Sequence, residues 1–317
     1  MIHVLAVLEK NSNTATELCN MTSSKIISKV YPGMPTSDGA GVKLTRMLGT
    51  PELEILDPFL MLDRMDSDDP DAYIAGFPNH PHRGFETVTI MHSGQMRHED
   101  SVGNSGLITP GDVQWMTAAR GIVHEEFHSR EFAKTGGTFE MCQLWVNLPK
   151  DKKMVKPRYQ GIVSKDIPKI PLIISDTCHV EGPQQQAADP SEGYVRVIAG
   201  EFNGAVGPAN THSPVNLWDI AINTPQKAFD FRITEGHNTV IFIRRGAVEI
   251  LGQNLKFQDV AIMSYEGEKV TITAKDKDTQ VLILSGQPLN EPIAARGPFV
   301  MNTQKELQEA MMDFQMG

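Results

Sequence analysis

Two short histidine patterns in this chain have the spacing of metal ligands. In Phe77-Pro78-Asn79-His80-Pro81-His82 two histidines are separated by one residue, and in His124-Glu125-Glu126 a histidine and a glutamate share that spacing. Along an extended chain, side chains two apart leave on the same face. His80 and His82 can therefore offer imidazoles to one ion from adjacent rungs of a strand, and His124 with Glu126 can do so from another. Three imidazoles and a carboxylate suit Fe, Mn, Co, Ni, Cu or Zn, whereas Ca and Mg prefer oxygen shells. Four protein ligands on an octahedral ion leave two positions, one for a substrate and one for dioxygen. A lone His-x-His pair in a strand is more often an exposed polar pattern. Two such pairs in one segment, with the turn at Gly111-Asp112 and the run 113–116 able to fold one onto the other, strengthen the metal reading.

These pairs need strands to carry them, and the surrounding sequence has a β rhythm. Short apolar runs at 25–30, 42–48, 86–91, 106–109, 113–116 and 141–148 are separated by Gly, Pro, Asn and Asp. A basic, polar stretch around 149–158 reads as an exposed connection. A second set of short runs follows, at 172–174, 195–199, 215–222, 239–244, 247–250, 260–263, 270–274 and 281–285. Two β-rich halves of similar size predict a duplicated barrel or sandwich. From Thr303 the pattern changes: Glu306 stands at capping-box spacing, and Leu307, Ala310, Met311 and Phe314 recur at helical spacing. The expected division is 1–22 as an N-terminal extension, 23–150 as a metal-binding barrel, 151–163 as a linker, 164–302 as a second barrel and 303–317 as a helix.

Composition narrows the function. Over 317 residues, a hydrophobic fraction of 40% builds cores, and 26 Gly with 20 Pro suit many turns. No apolar run approaches the ~18 residues of a membrane-spanning helix. A formal net charge of −10 disfavours direct contact with nucleic acid or an anionic membrane. Cys19, Cys142 and Cys178 are few, odd in number and unpaired in spacing, which predicts a reduced, cytoplasmic protein. Residues 1–20 lack the basic start and cleavage site of a secretory signal and read as a peripheral segment.

Longer strings carry a family resemblance. His80, His82 and Glu86 in the pattern HxHxxxE, then Gly94 and Pro110-Gly111-Asp112, resemble the motifs of cupin barrels. The stretches from His80 to Thr89 and from Gly111 to His124 resemble the pirin family, a group of two-cupin proteins. So do Leu56-Asp57-Pro58-Phe59, the run from Gly286 to Pro292 and the run from Gly297 to Asn302. The resemblance extends from Ser23 to the C-terminus. It implies an all-β fold of two cupin-type barrels with a short C-terminal helix. It also bears on which carboxylate is the fourth ligand. In cupins generally that is the glutamate of HxHxxxE, here Glu86. The pirin pattern instead implies His80, His82, His124 and Glu126, leaving Glu86 as support for a ligand or a neighbour of the substrate.

The implied chemistry is that of a quercetin 2,3-dioxygenase. One divalent transition metal, Fe(II) foremost, would bind a flavonol and dioxygen, with Glu126 or Glu86 taking the flavonol proton. The same resemblance implies an alternative: a metal- or redox-sensing regulator, without turnover, acting through a protein partner. The remaining histidines have no partner at ligand spacing. His98-Glu99-Asp100 reads as a polar turn, His92, His128, His179 and His212 as solvated or core positions, and His237 as a lone histidine in a second barrel without a metal. Phe77, Phe85, Met91, Trp115, Met116 and Phe127 are candidates for an apolar pocket. Gln114 and Arg83 could orient a substrate, Arg83 more simply pairing with a surface carboxylate.

Overall fold

The computed structural model describes residues 23–53, 55–175 and 191–317. The expectations for the N-terminal extension, Cys19, Cys178 and His179 fall outside the described residues.

Both halves fold as antiparallel barrels, as the β rhythm predicts. In the first, seven strands form one sheet in the order Arg158–Ile162, Val113–Thr117, Phe85–Ser93, Phe139–Asn147, Phe59–Ser67, Val42–Leu48, Met34–Asp38. Four more close it, in the order Phe77–His82, Ile122–His128, Met96–Asp100, Ser105–Ile108. The second half repeats the plan, with a seven-stranded sheet centred on Asn238–Arg245, Thr279–Gly286 and Val215–Ile222. A four-stranded sheet containing Lys269–Ala274 faces it.

The central strands are apolar on both faces because both faces are covered. Leu62, Val88, Trp115 and Leu144 of the first large sheet meet Ile198, Leu217, Phe242 and Leu282 of the second in one core between the barrels. Alternate residues point into the barrels, and Trp218, Phe231 and Ile241 help fill the second. Each fully buried large side chain contributes about 1.5–3 kcal/mol, so this shared core fixes the two barrels relative to each other. A buried ionic cluster is set into the same face. Arg244 donates to Glu140 (2.8 Å) and Asp219 (3.0 Å), and Arg196 donates to Asp219 (2.9 Å).

The boundaries differ from the expected division in three places. The strand Ile27–Pro32, expected in the first barrel, pairs with Asp259–Met263 of the second. The supposed linker is built into the first barrel: Arg158–Ile162 pairs with Val113–Thr117. Within the same stretch, Lys153 is 1% exposed and donates to Gly84 O, Asn147 Oδ1 and Val300 O. Finally, the segment beyond the second barrel returns to the first. Arg83 exchanges backbone hydrogen bonds with Pro298 and Val300. Gly84, at φ +89°, lies so close to the Val300 carbonyl that a Cβ would sit 1.9 Å from its oxygen.

The helix Gln304–Met316 carries the expected capping box, and Leu307 and Ala310 bury against Phe299 and Met301. A second helix, Arg130–Thr135, was not anticipated; Ser129 caps it. Among the described residues, no helix is long and apolar enough to cross a membrane.

Candidate metal centre

Three neighbouring strands of the smaller sheet build the site. His80 and His82 lie on Phe77–His82, His124 and Glu126 on Ile122–His128, and His98 on Met96–Asp100. His124 stands directly opposite His80, and Glu126 opposite His98. The register slips between His124 and Glu126, so Phe77–His82 carries an extra residue there. Such a bulge re-aims side chains, and here it falls beside Pro78, whose carbonyl meets His80 Nδ1 at 2.8 Å.

The imidazoles of His80, His82 and His124 converge. Their ring centroids are 4.3–4.9 Å apart, and a ligand nitrogen from each lies within 4.8 Å of the others. Burial holds all three below the usual histidine pKa, His82 and His124 far below. They are therefore neutral, the form that binds metals. Nε2 of His124 and Nδ1 of His82 are buried without a hydrogen-bond partner. A histidine cluster serving only as core would pair such atoms; unpaired buried nitrogens in a converging cluster fit a cation. Glu126 joins His98 and His124 in a second group of ligand atoms within 4.8 Å, so the two groups share His124.

Glu126 is 1% exposed. Its Oε2 accepts from Gln143 Nε2 at 3.2 Å, and its Oε1 lies 3.3 Å from Thr89 Oγ1. Burial outweighs these bonds and pushes its carboxyl up to about 7. A cation beside it would restore the ionised form.

Glu86 is not brought to this cluster. It stands three residues from Thr89 along an unbroken strand and so faces the other way, with Val88 and Ile90 of the core between the barrels. There it accepts from Thr117 Oγ1 at 2.6 Å, with Arg158 4.0 Å away. The role of ligand support or substrate neighbour expected of it has no geometric basis.

A cavity of about 600 Å³ opens onto His80, His82 and Glu126. Leu44, Met61, Met65, Phe77 and Trp145 give it apolar walls. Arg46 and Asp63 add a polar pair, and Gly297 and Pro298 of the returning segment contribute to its rim. Of the aromatic and methionine candidates, only Phe77 lines it. Trp115 packs between the barrels, Met91 against Val42, Met96 and Met141, Phe85 against Leu60 and Val300, and Met116 against Ala118 and Ile122. Phe127 lies against Gly76. Arg83 pairs with Asp313 of the C-terminal helix at 2.8 Å. Gln114 is buried on His98.

Sequence reasoning missed Arg46, and it missed Trp145, Gln143, Met61 and Asp63, which alternate along strands whose two faces are both buried. It also misread His98, which is a fully buried strand residue rather than part of a turn. Among the other histidines, His128 contacts the carbonyls of Tyr73 and Gln95, and His237 contacts Ser285 Oγ. Cys142 is buried, its thiol raised to about 12.

Two antiparallel barrels joined through their large sheets, one holding a histidine cluster, define a two-domain cupin. Family models described as Pirin and as the Pirin C-terminal cupin domain match residues 41–146 and 217–317. The chain belongs to the pirin family. It is 42% identical over 83% of its length to a Pseudomonas aeruginosa protein provisionally named a quercetin 2,3-dioxygenase, covering 86% of that protein. It is 37% identical to human pirin, covering 93% of each chain. The crystal structure of a quercetin 2,3-dioxygenase from Acinetobacter baumannii is similar with a TM-score of 0.82 and 42% identity, covering 93% of this chain and 98% of that one.

Proposed function

We propose that this protein is a metal-dependent dioxygenase that opens flavonols such as quercetin, with His80, His82, His124 and Glu126 holding one divalent transition metal, Fe(II) foremost. The observation that carries this reading is the convergence of three neutral imidazoles, His82 and His124 buried and His80 half-buried, beside an apolar-walled cavity. The cavity volume falls within the range of about 300–1,000 Å³ common for small-molecule sites, and Trp145, Phe77 and Met61 suit a flat aromatic ligand. The names of the Pseudomonas and Acinetobacter relatives point to the same substrate.

A bound metal supplies a Lewis acid that acidifies a coordinated hydroxyl, and a redox partner for dioxygen. The protein does the rest. Glu126, kept ionised by the cation beside it, accepts the proton of the flavonol 3-hydroxyl at a carboxylate oxygen. Gln143 orients that carboxylate through Oε2. The apolar walls hold the ring system and exclude water, strengthening the electrostatics of the site. Overall, the two carbon–carbon bonds flanking C3 break. C3 leaves as carbon monoxide with its own oxygen, and both atoms of dioxygen enter the ring-opened ester.

The test is oxygen uptake with quercetin by protein reconstituted in turn with Fe, Mn, Co, Ni and Cu. Turnover with at least one metal, abolished in His82→Ala, is expected. Absence of turnover with all five would overturn the proposal.

A further inference from the structure

His98 lies against His124 on the side away from that residue's unpaired nitrogen. The two Nδ1 atoms are 3.3 Å apart, and His124 Nε2 has no partner. Gln114 Nε2 donates to the same His98 Nδ1 at 3.0 Å, and His98 Nε2 lies 3.4 Å from Asp100 Oδ2. Asp100 is itself held by its loop. Its side chain is 0% exposed and accepts from Val102 N (3.1 Å), Asn104 N (2.9 Å) and Asn104 Nδ2 (2.8 Å).

These contacts decide the protons. A carboxylate only accepts, so His98 places its hydrogen on Nε2, toward Asp100. Its Nδ1 then carries one lone pair, a single acceptor shared between Gln114 Nε2 at 3.0 Å and His124 Nδ1 at 3.3 Å. His124 in turn places its hydrogen on Nδ1 to meet that lone pair, which leaves the unpartnered His124 Nε2 as the nitrogen with a free lone pair, on a ring 4.3 and 4.9 Å from those of His80 and His82. Tyr159 packs against His98, with ring centroids 5.2 Å apart.

We infer that Asp100 and His98 form a positioning relay that fixes the tautomer and orientation of His124 for metal binding. His98 acts through its neighbour and is not itself a ligand. The inference rests on the metal-binding reading proposed above. In metalloproteins, removing the outer partner of a ligating histidine typically costs about 10–100-fold in metal affinity, and that is the effect expected here.

The experiment measures Co(II) affinity by competition with a chromophoric chelator, and records the cobalt d–d spectrum, for wild type, His98→Leu, His98→Asn and Asp100→Asn. Wild type binds one equivalent. His98→Leu, which cannot accept a hydrogen bond, binds about 10–100-fold more weakly with the band positions and intensities of wild type. His98→Asn returns an acceptor oxygen near the place of Nδ1 and recovers most of the loss, while Asp100→Asn weakens binding to an intermediate degree. If His98→Leu does not fold, the contrast of His98→Asn with Asp100→Asn carries the test: both at wild-type affinity would overturn the relay. Wild-type affinity in His98→Leu, or no recovery in His98→Asn, would also overturn it. A changed d–d spectrum in His98→Leu would make His98 a ligand and overturn the positioning role. Wild type without affinity for cobalt would overturn the metal reading itself, a result distinct from each of these.

Discussion

Gln143 Nε2 lies 3.2 Å from Glu126 Oε2, reaching from the large sheet of the first barrel to the small one. The amide oxygen of Gln143 takes the hydroxyl of Thr89 at 2.7 Å, so its orientation is set from both ends. In Gln143→Leu, Glu126 loses its orienting donor while the barrel keeps a side chain of similar volume. Metal affinity should fall about 10-fold or more, while the buried groups of Thr89 and Glu126 left without Gln143 should cost the metal-free protein about 1–3 kcal/mol. Chelator competition against a melting curve separates the two effects.

Arg46 binds Asp63 through two parallel contacts, Nε to Oδ1 at 2.8 Å and Nη2 to Oδ2 at 2.7 Å, and both residues line the cavity. This fork holds the guanidinium plane in place at the cavity wall. Arg46→Lys keeps the charge and loses the fork. Steady-state kinetics on quercetin should show KM raised several-fold with kcat nearly unchanged. A kcat loss at constant KM would place Arg46 in the chemistry instead.

The burial of Glu86 predicts a pH signature. Its carboxyl stands at about 7 against an ordinary 4.5, because burial outweighs its bond to Thr117 and the nearby Arg158. The folded value lies above the unfolded one, so its contribution to stability is full below about 4.5 and is lost as pH rises through about 7. Glu86→Gln has no charge to bury. The stability of metal-free Glu86→Gln relative to wild type should rise by about 1–3 kcal/mol from pH 5 to pH 8. Denaturant unfolding at both pH values checks this, and a difference independent of pH would contradict it. Turnover should survive in Glu86→Gln and fail in Glu126→Gln.

The ionic cluster between the barrels should be sensitive at Arg244, which bridges Glu140 of the first barrel and Asp219 of the second. Arg244→Met leaves two buried carboxylates short of a donor. Removing one partner of a buried pair costs about 3–5 kcal/mol, measurable as a lowered denaturant midpoint.

What the sequence showed of the site follows from the strand period of two. His80 with His82, and His124 with Glu126, could share a face only if their segments were extended, and they are. The same parity, counted from Thr89, turns Glu86 away, but choosing which face was interior required knowing that both faces are buried. His98 was hidden by its acidic neighbours Glu99 and Asp100, although Met96 and His98 already alternate with charged Arg97 and Glu99. No local pattern could announce that Ile27–Pro32 pairs with Asp259–Met263, since that contact joins opposite ends of the chain. The lysines after Pro149 looked like a solvated linker, yet Lys153 finds three acceptors in the interior.

The central claim is that flavonol cleavage depends on one metal ion at His80, His82, His124 and Glu126. It is tested most directly by titrating metal-depleted protein with Fe(II) under quercetin and dioxygen and measuring the carbon monoxide released. The predicted rate rises linearly with bound metal, breaks at one equivalent per chain and stays at background in His82→Ala. Carbon monoxide release from metal-free protein, or none at any metal loading, would contradict the account.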